Sequence, residues 1–418
     1  MKPLLVQVLQ QITPLPHKEI PELLVLLQDK LPFSYQVQLG GSTAKKTDIL
    51  PAHDCDIFVV FEKEKIDNIH ISEWTQQLLS SCKELGNITR VHGSRDYFQC
   101  VYKQIRVEIV PVVHLNEHTT NSTDYSIHHV AWFKEQSQRV VEGQPLYNHV
   151  RLLKQFCKAH YCYGAESFMH GFSGHVLEIL TVFYGGFEHV LEAVTTWDTF
   201  PLYINIHDKH INQTTDNTQQ HKQDGKHVDV TKQLSKHQLH SLSDNHPLWL
   251  VDPIYAKRNA AAALSLKVLQ RFQYYAKAYL KNPSIDFFSV RIPWEYPSEQ
   301  TVVCDFVVEG GNPDIQGTKV YKKTQKIIYA LQEHGFEIHD WLFYWNKKDN
   351  AQLFMHVIEH KIPKQYVHKG PPLHEQEACV AFQKKYNDCF TQDGVLCCYK
   401  IRTFTSIYDA LKVLQSKT

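Results

Sequence analysis

The chain has 418 residues, of which 43% are hydrophobic and 21% are charged, the composition of an ordinary globular protein with room for two or three domains. Lys and Arg together number 44, as do Asp and Glu, which excludes a global basic field that would attract nucleic acid. No apolar run reaches membrane-spanning length, and the first residues lack an apolar region of signal-peptide type. We therefore expect a cytoplasmic protein without membrane contact.

The N-terminal part predicts a small mixed sheet with helices. The predicted helices run through the apolar positions from Leu5 to Ile12, over Ile20–Leu31 and near Glu73–Leu85. The predicted strands are Tyr35–Leu39, Asp56–Phe61, Tyr97–Tyr102 and Ile105–Val113. Lys103-Gln104 joins the last two strands as a hairpin turn. This order favours a sheet that carries its helices on one side.

The remainder of the chain alternates between helical and mixed patterns. Apolar residues recur at helical spacing from about Val130 to Val194. Residues 207–246 are polar, carry seven of the 26 histidines and cannot pack a core, so we predict a solvated insertion rather than a metal site. The predicted elements that follow are a helix Asn259–Leu280, a helix Lys319–His334, strands Trp341–Trp345 and Leu353–Ile358, and helices Gln376–Tyr386 and Ser406–Leu414.

Ten cysteines occur, and no two of them are spaced as Cys-x-x-Cys. The closest pairs are Cys157 with Cys162 and the adjacent Cys397 and Cys398. In an intracellular chain we expect buried free thiols rather than disulfides or a structural zinc site.

Two carboxylates stand at the head of an apolar strand. Asp54 and Asp56 are two residues apart, so on a strand they point to the same face. Anions at the start of a buried strand are unfavourable unless a cation lies between them, and Mg²⁺ is the cation that proteins hold with one or two carboxylates plus phosphates. Glu108, an acid inside another apolar run, is the candidate third ligand. The alternatives are a turn-capping Asp beside a surface Asp, and an edge-strand Glu paired with Arg106.

Other polar residues are candidate ligands for phosphate groups. The Gly41-Ser42 turn can direct backbone N–H groups and a hydroxyl at phosphates. Lys154 and Tyr163 would point to opposite sides of one continuous helix. Both reach one triphosphate only if the helix ends before Tyr163, and Gly164 is a natural left-handed residue for that end. The alternative for Lys154 is an ordinary solvated lysine.

A short polar segment precedes the central helices. It contains Ser126 and the paired His128-His129. A neutral histidine at this place can contact a phosphate or a ribose, although a hydrogen-bonded structural histidine is the commoner outcome.

In its motifs and their order, the sequence closely resembles the archaeal-type CCA-adding enzymes, the tRNA nucleotidyltransferases that build or repair the 3′ CCA end. The resemblance spans most of the chain. The matching blocks are Gly41–Thr47 with Asp54-Cys55-Asp56, Glu108–Pro111, Val150–Phe156, Tyr163–Glu166, Gly171–Gly174, Asp252-Pro253 with Lys257–Ala262, and Lys369–Pro372.

The resemblance implies a role for each matching residue. It implies two Mg²⁺ ions held by Asp54, Asp56 and Glu108. It implies nucleotide contacts by Ser42, Lys45, His129, Lys154, Tyr163 and Arg258. With Gly41 of the Gly-Ser turn and Ser126 beside the paired histidines, these residues form the predicted nucleotide site. Among these, the triphosphate ligands are Ser42, Lys45, Lys154 and Tyr163. The implied substrates are tRNA, CTP and ATP, and the family's usual assembly is a homodimer.

The implied fold is α+β and has three parts. Residues 1–138 form a nucleotidyltransferase palm, a mixed sheet with helices. Residues 139–270 form a helical central domain that completes the nucleotide pocket and carries the 207–246 insertion. Residues 271–418 form an α/β region that binds tRNA. Lysines at positions 319, 322, 323 and 326, or 361, 364 and 369, are candidates for phosphate contacts there.

The chain departs from the family pattern at a few positions. Asp54 and Glu108 look exchanged, since the family commonly has Glu first and Asp third. Lys45 stands where Arg is usual, which replaces a bidentate fork by a point charge. Tyr125 stands where an arginine is expected.

Two other functions stay open at this point. One is a related nucleotidyltransferase that makes oligoadenylates or nucleotide second messengers without tRNA, against which the Lys369–Pro372 block and the long C-terminal region argue. The other is a catalytically inactive RNA-binding relative, against which the presence of all three carboxylates argues.

Overall fold

A computed structural model describes the chain at residues 1–30, 35–51, 55–62, 71–93, 95–115, 121–208, 246–290 and 300–417. The chain forms two compact units, Met1–Arg291 and Ile292–Thr418. Among the described residues, no helix is both long and apolar enough to cross a membrane.

A five-stranded sheet lies in the first unit. Its strands are β1 (Gln36–Leu39), β2 (Cys55–Phe61), β3 (Gly86–Val91), β4 (Tyr97–Tyr102) and β5 (Ile105–Val113). They lie in the order β1-β2-β5-β4-β3. β2 and β5 are parallel, and the other neighbouring pairs are antiparallel. Lys103 and Gln104 have φ angles of 43° and 71°, as a tight hairpin turn between twisted strands requires.

Helices cover both faces of this sheet. They are α2 (Glu19–Lys30), α3 (Gly41–Ala44), α4 (Ile71–Ser80) and α5 (Ser126–Ser137). The odd-numbered side chains of β2 pack with α2 and α4, whereas Phe58 packs with Ala44 of α3 and Val130 of α5. The prediction of helices on one side is therefore wrong, because both faces of β2 are apolar and each needs cover.

The rest of the first unit is largely helical. Its helices are α1 (Pro3–Ile12), α6 (Leu146–Ala159), α7 (Gly174–Tyr184), α8 (Phe187–Thr195) and α9 (Leu266–Lys281). Short strand pairs join them: β6 (Val140–Val141) with β7 (Gln144–Pro145), and β8 (Leu202–Ile204) with β9 (Leu248–Leu250). Phe156 is at the centre of the helical core, and its ring lies 5.8–5.9 Å from the rings of Phe187, Phe272 and Tyr279.

The second unit contains two three-stranded antiparallel sheets. One has the order β10 (Thr301–Val307), β12 (Asn350–Val357), β11 (Ile338–Trp345), and the other β13 (Gln365–Pro372), β15 (Val395–Ile401), β14 (Phe390–Gln392). Its helices are α10 (Pro313–Glu333), α11 (Gln376–Lys385) and α12 (Ile407–Lys417). Ile327 of α10 and Leu411 of α12 share a core with Met355 of β12.

Most of the predicted elements are present with ends that differ by up to six residues, as in the helix predicted from Lys319 that begins at Pro313, but four longer strands were missed. β3 is half-exposed and lacks a clear alternation. β10 was also missed. In β13, Gly370-Pro371-Pro372 argues against a strand, and its partner β15 was missed as well. The helix predicted from Asn259 begins only at Leu266. The preceding residue, Ser265, caps this helix: its hydroxyl oxygen accepts a hydrogen bond from the backbone N–H of Val268 in the first turn. Of the predicted 207–246 insertion, residues 209–245 lie outside the described residues.

The cysteine prediction is confirmed in its main point. All ten cysteines are free thiols, and eight are buried. Cys379 and Cys389 are half-buried instead, so the expectation of burial is wrong for these two.

We expect Phe156→Ala to destabilise the first unit by about 3–5 kcal/mol, because it removes a fully buried ring and leaves a cavity among aromatic neighbours. Tyr274→Ala is the control, since Tyr274 is on α9 but 68% exposed, and we expect a change within about 0.5 kcal/mol. Urea unfolding followed by circular dichroism measures both. Equal losses for the two variants would contradict the assigned core.

Candidate active site

Two acids face each other on the central strands of the first sheet. In the parallel pair β2–β5, Asp56 is directly opposite Glu108, and adjacent strands are about 4.8 Å apart. Matched residues of a parallel pair point to the same face, and both acids are half-buried. Gln99 of β4 donates a hydrogen bond of 2.9 Å to Glu108 Oε1. β5 is the central strand, so the alternative of an edge-strand glutamate is wrong.

Asp54, the third predicted acid, lies outside the described residues. Asp56 and Glu108 already form a pair of half-buried carboxylates on one face, the oxygen-rich surface to which hard divalent cations bind.

Gly41 lies directly against one of these acids. Its φ is +53°, and a Cβ built on it would lie 1.6 Å from Asp56 Oδ2. The backbone N–H of Gly40 donates to the carbonyl of Asp56 at 2.7 Å. The carboxylate thus fits against the start of α3 only because position 41 has no side chain, and half-buried Ser42 follows it on the same helix.

A buried ionic cluster lies after α3. Lys45 Nζ is 2.7 Å from Glu178 Oε2 of α7, and Lys154 Nζ of α6 is 3.9 Å from Glu178 Oε1. Lys154 Nζ also donates to the carbonyl and hydroxyl of Thr47, at 3.0 and 2.9 Å. The Thr47 hydroxyl in turn donates to Glu178 at 3.2 Å. Two lysines implied to bind triphosphate therefore meet at one carboxylate.

The burial of this cluster shifts its pKa values. The side chains of Lys154 and Glu178 are 4% and 1% exposed, so the alternative of a solvated Lys154 is wrong. Burial lowers the pKa of Lys154 to about 8, although Glu178 opposes the shift. Burial alone would raise the pKa of Glu178, but Lys45, His175 and Lys154 together hold it well below its usual range. Glu178 is therefore a carboxylate near neutral pH.

Tyr163 reaches the same place from the loop after α6. As predicted, the helix ends before Tyr163, at Ala159. The prediction that Gly164 ends it is wrong, because Tyr161 has the left-handed φ of 53°. A Cβ built on Gly174 would lie 3.2 Å from both Tyr163 Oη and Lys154 Cε, so these side chains converge on Gly174.

Electrostatics link Tyr163 to an acid of the sheet and to the buried Glu178 cluster. Burial raises the pKa of Tyr163, and the charges of Glu178 and Asp56 raise it further. The phenol is therefore neutral near physiological pH and lies within electrostatic range of an acid of the sheet and of the buried Glu178.

A second buried cluster surrounds Asp252. His129 Nε2 lies 2.8 Å from Asp252 Oδ1, and His175 Nε2 lies 3.3 Å from Oδ2. Arg258 Nη1 donates to Oδ2 at 2.8 Å. Burial alone would raise the pKa of Asp252, but its bonds to His129 and His175 outweigh that effect and hold it well below its usual range. His129 and Arg258, far apart in sequence, are thus held by one carboxylate.

The Asp252 cluster also has the donor atoms of a metal site. Ligand atoms of His129, His175 and Asp252 lie within 4.8 Å of one another. The guanidinium of Arg258 is already bonded to Asp252, however, and the backbone N–H groups of Ile254 and Tyr255 donate to it as well. A cation at this point would displace an existing positive charge.

His175 joins the two clusters. Its Nδ1 lies 3.7 Å from Glu178 Oε2, while its Nε2 faces Asp252. Sequence reasoning missed Glu178 and His175 and did not place Asp252 in the site. Glu178 lies in the apolar run Val176-Leu177-Glu178-Ile179-Leu180, the same signal that had singled out Glu108.

Ser126 is the remaining predicted residue. It is half-buried and begins α5, one helical turn before His129.

Comparison with known proteins decides the family. The family model of the second domain of tRNA nucleotidyltransferase matches residues 148–289. The family model of the C-terminal domain of CCA-adding enzyme matches residues 300–418. A CCA-adding enzyme of Nanoarchaeum equitans is 32% identical over 401 residues, which cover 95% of this chain and 91% of the relative. The chain belongs to the CCA-adding enzyme family.

Two further matches have lower sequence identity. A CCA-adding enzyme of Pyrobaculum neutrophilum is 29% identical over 357 residues, 84% of this chain and 75% of that relative. A solved structure described as a cytoplasmic RNA terminal U-transferase is 11% identical, with a TM-score of 0.48, and covers 69% of this chain and 97% of its own.

Two departures from the pattern expected of CCA-adding enzymes have local explanations. Lys45 binds Glu178 through its single ammonium group, so a point charge is accommodated at this position. Tyr125 stacks on Tyr255, with ring centroids 5.1 Å apart. Its neighbour Asp124 is buried and receives a 2.8 Å hydrogen bond from Arg95.

We expect Gly41→Ala to destabilise the protein more than Gly185→Ala does. Both glycines have positive φ, +53° and +82°, but a Cβ at Gly185 meets nothing within 4 Å. Gly185→Ala therefore costs only the left-handed backbone strain of about 1–2 kcal/mol, whereas Gly41→Ala must also displace the Asp56 carboxylate. Thermal unfolding compares the two, and an equal loss would show that Asp56 does not lie against Gly41.

Proposed function

We propose that this protein adds and repairs the 3′-terminal CCA of tRNA, using CTP and ATP without a nucleic acid template. The observation that carries this proposal is the register of β2 and β5, which sets Asp56 beside Glu108 and against Gly41, at the start of the segment that leads to Lys45. Membership of the CCA-adding enzyme family supplies the substrate class. A cytoplasmic location and a homodimer remain predictions.

The acids fit a divalent cation by their chemistry. Two carboxylates directly opposite each other on neighbouring strands repel, and a hard cation with oxygen ligands relieves that repulsion. We propose that Asp56 and Glu108, with Asp54 from the matching sequence block, hold two Mg²⁺ ions. When bound, such ions make the tRNA 3′-hydroxyl more acidic and neutralise charge on the phosphates.

The cationic residues bind the other end of the nucleotide in this proposal. Lys45, Lys154, Ser42 and Tyr163 hold the triphosphate, with the two lysines as charges and the hydroxyls as donors. The tRNA 3′-oxygen attacks the α-phosphorus. The bond from that phosphorus to the oxygen that bridges the α- and β-phosphates breaks, and pyrophosphate leaves with that oxygen. Positioning of the tRNA 3′-oxygen and the α-phosphorus for in-line attack supplies much of the catalysis, while the fixed charges of the two lysines bind the triphosphate in the ground state and the transition state alike.

The nucleoside end is assigned to the Asp252 cluster. Burial lowers the pKa of His129 even though its bond to Asp252 opposes the shift, so a neutral ring is available for a hydrogen bond to the nucleotide. Arg258 is 37% exposed and oriented by the same carboxylate. We propose that both residues contact the incoming nucleotide, with Ser126 at the adjoining end of α5.

The three-part division at residues 1–138, 139–270 and 271–418 stays our proposal. The first part includes the sheet that carries Asp56 and Glu108, and the second includes Lys154, Tyr163 and Arg258. In this proposal the third part binds tRNA, and its first residues belong to α9 (Leu266–Lys281) of the first compact unit.

Incubation with tRNAs that end at the discriminator base, at C and at CC tests the function. With CTP alone, we expect two C additions to the first tRNA, one to the second and none to the third. With ATP alone, we expect one A addition, to the tRNA that ends at CC, and with both nucleotides every tRNA is completed to CCA. Asp56→Asn should abolish every addition but leave tRNA binding intact, while the exposed Asp29→Asn should behave as wild type. Products made from ATP alone without tRNA would point instead to an oligoadenylate or second-messenger enzyme.

A stripe of lysines on α10 suits contacts with tRNA phosphates. Lys319, Lys322, Lys323 and Lys326 recur at i, i+3, i+4 and i+7, and all four are exposed. None forms an ion pair with any residue in the described part of the chain, and no acid occurs between Asp314 and Glu333.

We expect the double variant Lys322→Gln/Lys326→Gln to weaken tRNA binding and to reduce its dependence on salt. Each lost phosphate contact lowers the slope of log K against log salt by about 0.7–0.9. Lys384→Gln/Lys412→Gln, which removes two exposed lysines elsewhere in the second unit, is the matched control. Filter binding at several salt concentrations measures the slopes, and a wild-type slope for the α10 variant would remove the stripe from the interface.

A further inference from the structure

Glu178 is an acid in an apolar helix that is almost completely removed from water. Its side chain is 1% exposed, and its neighbours on α7 from Val176 to Leu180 are buried. Burying a lone carboxylate is strongly unfavourable, so its charge must be balanced locally. The balancing groups come from two other elements, Lys45 from the segment after α3 and Lys154 from α6.

The lysines depend on Glu178 as much as Glu178 depends on them. Without the carboxylate, two ammonium groups would approach one another in a buried place with no anion between them. Lys154 donates two hydrogen bonds to Thr47, and Thr47 itself donates to Glu178. The carboxylate therefore fixes the direction of both lysines. It contacts Lys45 directly, and it holds Lys154 both directly and through Thr47.

We propose that Glu178 is a positioning residue for the nucleotide: it keeps Lys45 and Lys154 charged and aligned while no triphosphate is bound. The inference rests on the proposed function, since it assumes that these lysines bind triphosphate. Glu178 itself touches no substrate in this account. Its effect is on nucleotide binding, because the lysines it holds are equally available in the ground state and the transition state.

The charged and titratable groups around Lys154 determine how its proton responds to pH. They are Glu178 and His175 on α7, Lys45 and Asp48 after α3, Lys158 on its own helix, and Tyr163 in the following loop. The pKa of Lys154 is about 8 with Glu178 in place. Removing the negative charge removes a contribution that raises this pKa, so the pKa falls further. Lys154 of the variant then loses its proton at a pH where the wild-type lysine keeps it.

The test compares Glu178→Gln with wild type in nucleotide titrations at fixed tRNA. We expect the KM for CTP and for ATP to rise about tenfold or more, as the loss of a buried charged hydrogen bond implies, with a much smaller change in kcat. The ratio of variant to wild-type KM should grow between about pH 6 and pH 8, because the variant's lysine is neutral over more of that range. A merely structural role would not produce a pH-dependent ratio.

Glu188→Gln is the matched control. Glu188 is also well buried, with 12% of its side chain exposed, and it pairs with Lys2 at 2.6 Å, but on α8 and away from the lysines of the cluster. We expect its nucleotide KM to equal that of wild type at every pH.

The outcomes separate the inference from the function on which it rests. If wild type adds no C or A to tRNA, the proposed function fails. If wild type and Glu188→Gln add nucleotides and Glu178→Gln has an unchanged KM or a pH-independent ratio, only the role of Glu178 is overturned. If Glu178→Gln does not fold, Glu178→Asp tests the same point, since it keeps the charge and retracts the carboxylate by one methylene. An unchanged nucleotide KM in folded Glu178→Asp would overturn the inference.

Discussion

The parallel register between β2 and β5 is the constraint on which the candidate site depends. It sets Asp56 opposite Glu108 on the face that α3 and α5 cover. Because side chains alternate across a strand, a slip of one residue would turn Glu108 into the apolar core beneath α2 and α4 and would leave Asp56 without a partner. The apolar residues of both strands therefore maintain the register that the acids require, and packing energy fixes the geometry of charges.

Within the first unit, the sheet and the helices carry opposite charges into the candidate site. The sheet supplies negative oxygens that face a shared surface, whereas the helices supply lysines, histidines and an arginine whose positions are set by buried carboxylates. Glu178 and Asp252 are both excluded from water, so their interactions are stronger than those of surface ion pairs and are screened less by salt. His175 contacts both. The cationic side is thus a preorganised arrangement rather than a set of mobile side chains, which suits a reaction that relies on positioning.

Much of this fold can be read from the sequence where local pattern and tertiary environment agree. The helices with a strong 3.6-residue period and the β4–β5 hairpin are present close to their expected places. β3 and β13 were missed because half-exposed strands, and strands with Gly and Pro, acquire their conformation from a neighbouring strand rather than from local preference. The expectation of one-sided helices failed for a similar reason: the two apolar faces of β2 pack in separate core clusters, and the apolar run alone does not show which helices cover each face.

The sequence by itself determined the family and the acids of the sheet, because these rest on ordered blocks and on carboxylates set in apolar runs. It also showed that α6 must end before Tyr163 if Lys154 and Tyr163 are to act together. Only the tertiary structure decided that Lys45 and Lys154 share Glu178, and that His129 and Arg258 share Asp252. Those contacts join residues 123 and 133 positions apart, and no periodicity along the chain records which distant side chain will neutralise a buried charge.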